Sequence, residues 1–385
     1  MESRKKITLL GCGLVGQVIA RDLAAEDGID LCVVDRDETA LAAVGGLSGV
    51  ETRTADLSDS AALPSIIETA DLVVGAVPGQ IGGRVMRAVI EAGRPLVDIS
   101  FSPDDPLELD GLARARGVTA VVDCGVAPGL SNVLVGRCAA ELDEVQTVRI
   151  YVGGLPYRRV QPYEYRIVFS PTDVIEEYVR PCRLRLGGLD TVRPALSDVE
   201  QIDFPQVGTL EAFNTDGLRT LLRTIDAPNL SEKTLRYPGH ATRMRMLRDS
   251  GFFDEQPILV GPTGVPPRAL TEQLLFQAWK LPAGEREFTL LRVVVEGLRD
   301  GRRVSTTWDL YDSTDDETGF TSMARTTGFP CAIVAKLVAD GRWVKPGVHP
   351  PETLGADETF TAELLAQLAD RGVRLSHQTH TGTFS

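Results

Sequence analysis

Long apolar runs are missing from this chain. No stretch approaches the roughly 18 consecutive apolar residues that a membrane-spanning helix needs. The apolar stretch Ile7–Leu10 ends at a glycine loop, too early for the apolar region of a signal peptide. Histidine is scarce, four in 385 residues with no His-x-x-x-His pair, and the six cysteines show no Cys-x-x-Cys spacing. A zinc site is therefore not expected, and no metal is assigned. Cys12, Cys32, Cys124, Cys138, Cys182 and Cys331 stand mostly beside Val, Leu or Ala and read as buried, reduced thiols of a cytoplasmic protein. Positive charge is short as well. Lys and Arg number 40 against 54 Asp and Glu, a net charge of −14 that disfavours nucleic acid and anionic membranes as partners. Internal repeats and low-complexity tracts are absent.

The hydrophobic fraction, 43%, is that of a globular protein, and 385 residues suit two or three domains. The strand Ile7–Leu10 runs into Gly11-Cys12-Gly13-Leu14-Val15-Gly16, apolar residues follow at helical spacing (Val15, Val18, Ile19, Leu23), and a second strand, Leu31–Val34, ends at Asp35. Strand, Gly-x-Gly-x-x-Gly, helix, strand and acid is the arrangement that binds a dinucleotide. The first glycine makes the tight turn, the second admits the pyrophosphate, and the third lets helix and strand pack closely. The helix N-terminus, at Leu14 and Val15, offers free N–H groups to phosphate. Asp35 suits the ribose hydroxyls and repels a 2′-phosphate, which favours NAD; the adjacent Arg36 can serve a 2′-phosphate and keeps NADP possible.

The alternation continues with strands at 50–54 (ending near Asp56), 71–77, 96–99 and 118–122 and helices at 82–92 and 107–116. Continuous β-branched runs separated by helices predict a doubly wound parallel sheet, a Rossmann domain over residues 1–125. Ligands of such sheets bind beyond the strands' C-terminal ends, which brings Ala76-Val77-Pro78, Asp98, Ser100 and Asp123 to the same crevice as the glycine loop. Read locally, Ala76–Pro78 is a plain turn, and Asp98 and Asp123 are helix caps or loop acids.

Beyond Asp123 the pattern changes. A loop leads into a helix at 133–140 and a strand at 145–152, and the turn Arg299-Asp300-Gly301 joins strands at 291–296 and 304–311. This predicts an α+β domain with a largely antiparallel sheet over 126–322. A segment from 323 to 385, with a helix at 324–337 around Pro330 and a loop plus amphipathic helix from 343 to 371, is expected to return to the first domain. Polar clusters at Tyr163-Glu164-Tyr165, Leu210–Arg219 and Pro238–Arg243 mark the second domain; the latter two read as loops entering helices.

The glycine loop, Asp123-Cys124-Gly125-Val126-Ala127-Pro128-Gly129, Gly153-Gly154-Leu155-Pro156, Leu210-Glu211-Ala212-Phe213, Tyr237-Pro238-Gly239-His240 and Met323-Ala324-Arg325-Thr326-Thr327 together resemble the saccharopine dehydrogenase-like family, in order and over essentially the whole chain. The lysine 6-dehydrogenases are the member type it most resembles. The stretch Asn214–Arg219 departs from them, since a glycine- and serine-rich segment is expected there. The resemblance implies homo-oligomers and NAD-dependent oxidation of the lysine ε-carbon to 2-aminoadipate 6-semialdehyde, which cyclises to a piperideine carboxylate. The same resemblance leaves room for a saccharopine reductase-type enzyme, which makes or cleaves a secondary amine between an amino acid and an aldehyde. A non-catalytic NAD(H)-binding sensor or scaffold is a third reading.

Hydride departure from a carbon bearing nitrogen needs the amine neutral, and a lysine ammonium has a pKa of about 10.4. A base or a desolvating pocket must lower it. Asp123, Glu164 and His240 are the candidate catalytic groups, with Asp216 behind them. Arg243 and Arg219 are candidate anchors for a substrate carboxylate, with Tyr165 and Asp216 beside them.

Overall fold

The computed structural model describes residues 4–59 and 61–382. The chain forms two compact units. The first comprises the described residues up to Glu141 together with Ala324–Arg374, and the second Leu142–Met323 with the chain from Leu375. The first unit thus runs past the expected boundary at 125, because helix Leu130–Ala140 packs on helix Pro351–Gly355 of the same unit. The tail also divides: Ala324–Arg374 belongs to the first unit, but Leu375–Thr381 is a strand of the second.

The first unit holds a seven-stranded parallel sheet in the order Gly347–His349, Thr119–Val121, Leu96–Asp98, Leu72–Gly75, Lys5–Leu10, Ile29–Asp35, Val50–Thr54. The strand order reverses between Lys5–Leu10 and Leu72–Gly75, the switch point of a doubly wound sheet. Leu9, Leu10, Val33, Val34, Val73, Val74, Leu96 and Val97 are wholly buried, as a sheet covered on both faces requires. The seventh strand, Gly347–His349, lies where the sequence pattern predicted loop; Gly347 N donates to Val118 O at 2.9 Å. Short helices at Glu38–Ala42 and Leu63–Ile67 complete the crossovers.

The second unit is built on a nine-stranded sheet. Its pairings are antiparallel except where Asn229–Arg236 lies parallel to Glu144–Pro156. The long hairpin Glu287–Arg299 and Arg302–Ser313 turns at Asp300 and Gly301, both with positive φ, as a two-residue hairpin turn demands. The residues Leu210–Asn214, read from sequence as a loop entering a helix, are strand. On this sheet's framework, helices Pro171–Val179, His240–Asp249 and Pro267–Trp279 enclose an aromatic core of Tyr165, Tyr178, Phe213, Phe253 and Trp279. Among the described residues, no helix is long and apolar enough to cross a membrane, and no group of three or more His, Cys, Asp or Glu side chains could hold a metal ion.

Candidate functional site

The first unit presents a dinucleotide cradle at the end of strand Lys5–Leu10. Gly11 adopts φ +105°, and a Cβ there would stand 2.3 Å from Ala76 O; one on Gly16 would stand 2.3 Å from Gly11 O. Those two glycines let the chain fold on itself. Around Gly13 nothing lies within 4 Å of an added Cβ, so the middle glycine leaves open space for a ligand. Gly13 also precedes helix Leu14–Ala24, which has no side-chain cap, so its first N–H groups are available to phosphate. Leu14 is half exposed at this mouth. Asp35 Oδ2 accepts Cys12 N at 2.6 Å and Oδ1 accepts Asp37 N at 2.9 Å. Each oxygen keeps a second lone pair for a ribose hydroxyl. The residues present therefore fit a nicotinamide dinucleotide. Arg36 and Asp56 are exposed nearby. Hydrogen bonds from Ser58, with the Arg36 charge adding to them, hold the Asp56 carboxyl below its ordinary range. Burial, reinforced by Asp35 and Asp37, pushes the Cys12 thiol up to about 12, so the loop's cysteine is not a nucleophile.

The other residues expected at this crevice divide. Ala76 and Pro78 sit partly or fully open at the switch point, whereas the Val77 side chain belongs to the core. Asp98 and Ser100 are buried. Asp98 Oδ1 accepts Ser100 N at 2.7 Å, and a Cβ on Gly75 would stand 1.9 Å from Asp98 Oδ2. Ser100 Oγ also donates to Asp98 Oδ2 at 3.1 Å, so the two residues, expected from sequence at the cofactor crevice, hold each other at the end of strand Leu96–Asp98. Asp123 is buried in a left-handed conformation (φ +52°), at the start of the loop Asp123–Gly129. Asn132 secures that loop: its Oδ1 accepts Gly129 N at 3.3 Å, and its Nδ2 donates to the buried Glu352 at 3.0 Å. Neither Asn132 nor Glu352 stood out in the sequence, since their partnership spans 220 positions.

In the second unit the structure gathers Glu164, Arg159, Arg243 and Tyr237. Glu164 is buried with φ +51°. Arg159 Nε lies 2.7 Å from its Oε1 and Arg243 Nη2 3.6 Å from its Oε2. Arg159 also stacks over Tyr237, 4.5 Å from the ring centroid. Two guanidinium groups on one carboxylate leave a net positive charge, and Arg243 Nη1 is buried without a hydrogen-bond partner. An incoming carboxylate would satisfy both. Helix His240–Asp249, which carries Arg243, is capped by Glu211, whose oxygens accept Gly239 N at 2.7 Å and Ala241 N at 2.5 Å.

His240 is corrected by its surroundings. It is wholly buried; Nδ1 faces Tyr163 O at 3.2 Å and therefore donates, and Tyr178 OH donates to Nε2 at 3.0 Å. Burial, with Arg236 and Arg243 adding repulsion, pushes its pKa down to about 3. Both nitrogens are engaged and the ring is neutral, the state of a structural histidine rather than a proton carrier. Asp216 is taken up by Arg183, which reaches it through N, Nε and Nη2 at 3.0, 2.9 and 2.7 Å. Tyr165 lies in the aromatic core beneath the Arg236 guanidinium, 4.6 Å from the ring centroid. Arg219 is buried on a loop with φ +52°. These placements leave Glu164 and Arg243 as the pair of expected site residues that come together at a partly open surface.

The domain family described as the saccharopine dehydrogenase NADP binding domain matches residues 7–121, and the saccharopine dehydrogenase C-terminal domain matches residues 125–373. The chain is 23% identical to saccharopine dehydrogenase [NADP(+), L-glutamate-forming] of Pyricularia oryzae, covering 94% of this chain and 96% of that one. It is 23% identical to the mitochondrial alpha-aminoadipic semialdehyde synthase of Bos taurus, covering 96% of this chain but only 47%, about half, of that protein. Among solved structures, apo saccharopine dehydrogenase (L-Glu forming) of Saccharomyces cerevisiae superposes with a TM-score of 0.79 at 20% identity, over 98% of this chain and 100% of that one.

Proposed function

Because this chain belongs to the saccharopine dehydrogenase family, we propose that it is an NAD(P)-dependent oxidoreductase acting on a carbon–nitrogen bond of an acidic, amino-acid-derived secondary amine. The observation that carries this reading is the net positive cluster of Arg159, Glu164 and Arg243. A substrate with several carboxylates is attracted there, whereas lysine, whose side chain is a cation, is repelled by the same charges. The saccharopine-type alternative is therefore preferred to lysine 6-dehydrogenase, in keeping with the names of full-length relatives.

The bound nicotinamide would supply a hydride acceptor. Gly11, Gly13, Gly16, Leu14, Val15 and Asp35 would hold the dinucleotide, with Arg36, Asp56 and the switch-point residues Ala76 and Pro78 around it. Arg243, backed by Arg159, would orient a substrate carboxylate. Asp123 and Glu164 are the remaining candidates for moving a proton. The Asp35 carboxylate supports NAD over NADP, and Asp35→Ser should narrow that preference. The six cysteines, all free, suit a reducing compartment, and the cytoplasm is the proposed location. The active species is a homo-oligomer.

The test is a substrate screen following absorbance of reduced nicotinamide, with NAD and NADP in parallel. Turnover with saccharopine or a related secondary amine, and none with lysine alone, is expected. Rapid turnover of lysine would restore the lysine 6-dehydrogenase reading. Tight NAD(H) binding without turnover of any amine would establish a sensor or scaffold instead.

A further inference from the structure

We propose that His240 is the positioning residue of the carboxylate anchor: its ring ties the segment Tyr163–Tyr165, which carries Glu164, to helix His240–Asp249, which carries Arg243, and so sets the gap in which a substrate carboxylate is received. This deepens the preceding reading of Arg243 as the anchor and rests on it.

Glu164 and Arg243 do not fix their own separation. Arg243 Nη2 stands 3.6 Å from Glu164 Oε2, beyond hydrogen-bond length, and Nη1 is buried without a hydrogen-bond partner. Left free, a guanidinium and a carboxylate close to about 2.8 Å and pair two nitrogens with two oxygens. The framework around them holds them apart. Glu164 sits at φ +51°, a conformation that a residue other than glycine keeps only where its surroundings impose it. On one side of it, Tyr163 O accepts His240 Nδ1 at 3.2 Å, and the Tyr163 ring stands edge-on to Trp279 with centroids 5.6 Å apart. On the other side, the Tyr165 ring lies 5.3 Å from Trp279 and 5.4 Å from His240. His240 therefore holds both neighbours of Glu164.

His240 opens its helix, and Arg243 follows three positions later on the same face. Glu211 accepts the N–H groups of Gly239 and Ala241, on either side of His240, which fixes the backbone from which the ring projects. The carbonyl of Tyr163 can only accept, so Nδ1 carries the proton, and Nε2 is left to accept from Tyr178 OH at 3.0 Å. An imidazolium would displace the Tyr178 proton and meet the Arg236 charge; burial and that charge keep the ring neutral. One tautomer, bound at both nitrogens, gives the ring a single orientation, as a spacer between two elements requires. The ring is wholly buried, so it acts through Glu164 and Arg243 and not on a substrate directly.

Glutarate, a plain dicarboxylate, is the probe; its affinity for the full chain, with NAD present, is measured by titration calorimetry. Arg243→Ala should weaken binding roughly tenfold or more, the worth of a hydrogen bond to a charged group. His240→Gln, whose amide reaches toward Tyr178 but not Tyr163, should weaken it to a similar degree. His240→Asn, whose amide nitrogen stands near the place of Nδ1, should recover most of that loss. A residue that only filled the core would rank by volume, with Gln the better substitute. Made in the Arg243→Ala background, His240→Gln should change little further. Where His240→Gln fails to fold by far-ultraviolet circular dichroism, Tyr178→Phe decides: it keeps the ring volume and frees the imidazole to turn, so affinity should fall, again only while Arg243 is present. Glutarate binding that is absent from the unaltered protein, or indifferent to Arg243→Ala, would overturn the anchor and its positioning together. Binding lowered by Arg243→Ala but unmoved by the folded His240→Gln or Tyr178→Phe variant, or lowered equally in both backgrounds, would overturn the positioning role alone. Affinities in the expected order, in a protein that oxidises no secondary amine, would overturn the reaction of the preceding subsection and leave His240 in its role.

Discussion

Arg243 is the residue on which substrate recognition turns. Its side chain is about one-third exposed, one terminal nitrogen faces Glu164, and the other is buried without a partner. Arg243→Ala should raise KM for an acidic amine roughly tenfold or more, since a hydrogen bond to a charged group is worth about 1.5–3 kcal/mol. The kcat should move less, because the anchor holds substrate and transition state alike. Steady-state kinetics with an unchanged KM would shift the anchor to Arg159. Glu232 offers a second residue-scale test. It is buried, accepting Thr215 Oγ1 at 2.7 Å and Gly217 N at 3.0 Å. Burial, with Glu177 and Asp216 adding repulsion, pushes its pKa up to about 8. The folded state therefore holds this proton more tightly than the unfolded chain does. Its stabilising contribution is complete below the unfolded value of 4.5 and is lost as pH rises through about 8. Glu232→Gln, which keeps a neutral group of the same shape, should flatten the fall in Tm between pH 5 and pH 8. Thermal melts in which the variant tracks the unaltered protein across that range would refute the linkage.

At the scale of elements, helix His240–Asp249 stands on a cap supplied from a strand. Glu211 reaches from Gly208–Asn214 to the N–H groups of Gly239 and Ala241, where its charge also opposes the helix dipole. Glu211→Ala should cost about 1–2 kcal/mol in denaturant unfolding. Because the helix carries Arg243, KM should rise too; Glu211→Gln should recover part of both. A variant with ordinary stability and ordinary KM would show that the cap is dispensable. This contact also explains why the second unit was harder to read than the first. Buried parallel strands appear as unbroken apolar runs, and the glycine loop marks the first crossover, so the Rossmann unit was legible. Leu210–Asn214 was not, because Glu211 and Asn214 break the apolar pattern while serving partners elsewhere. The strand Gly347–His349 is too short to show any period. His240 and Asp216 carried the residue types of a site, but their burial is set by Tyr178 and Arg183, which are distant in sequence.

At the scale of the whole molecule, the second unit is closed by the far end of the chain. Leu375–Thr381 pairs antiparallel with Val304–Leu310 of the long hairpin, and His377 stacks on Trp308 with ring centroids 4.4 Å apart. The strand is itself largely exposed, so its burial of apolar surface is small. Its weight lies in occupying the edge of Arg302–Ser313, twelve residues long, which would otherwise offer a row of free N–H and C=O groups to other molecules. A chain ending at Arg374 should fold, since the aromatic core of the second unit contains no residue beyond that point. It should nevertheless aggregate at a lower temperature than the full chain, as followed by light scattering during heating. Substituting proline at Gln378 or Thr379 provides a milder version. Adjacent residues point their N–H groups to opposite sides, so one of the two variants removes a ladder bond and the other spares it. Only the former should shift the onset of aggregation toward that of the truncated chain. Equal onsets for all four proteins would mean that the edge is protected by its own twist and charges, and that the C-terminal strand does not guard it.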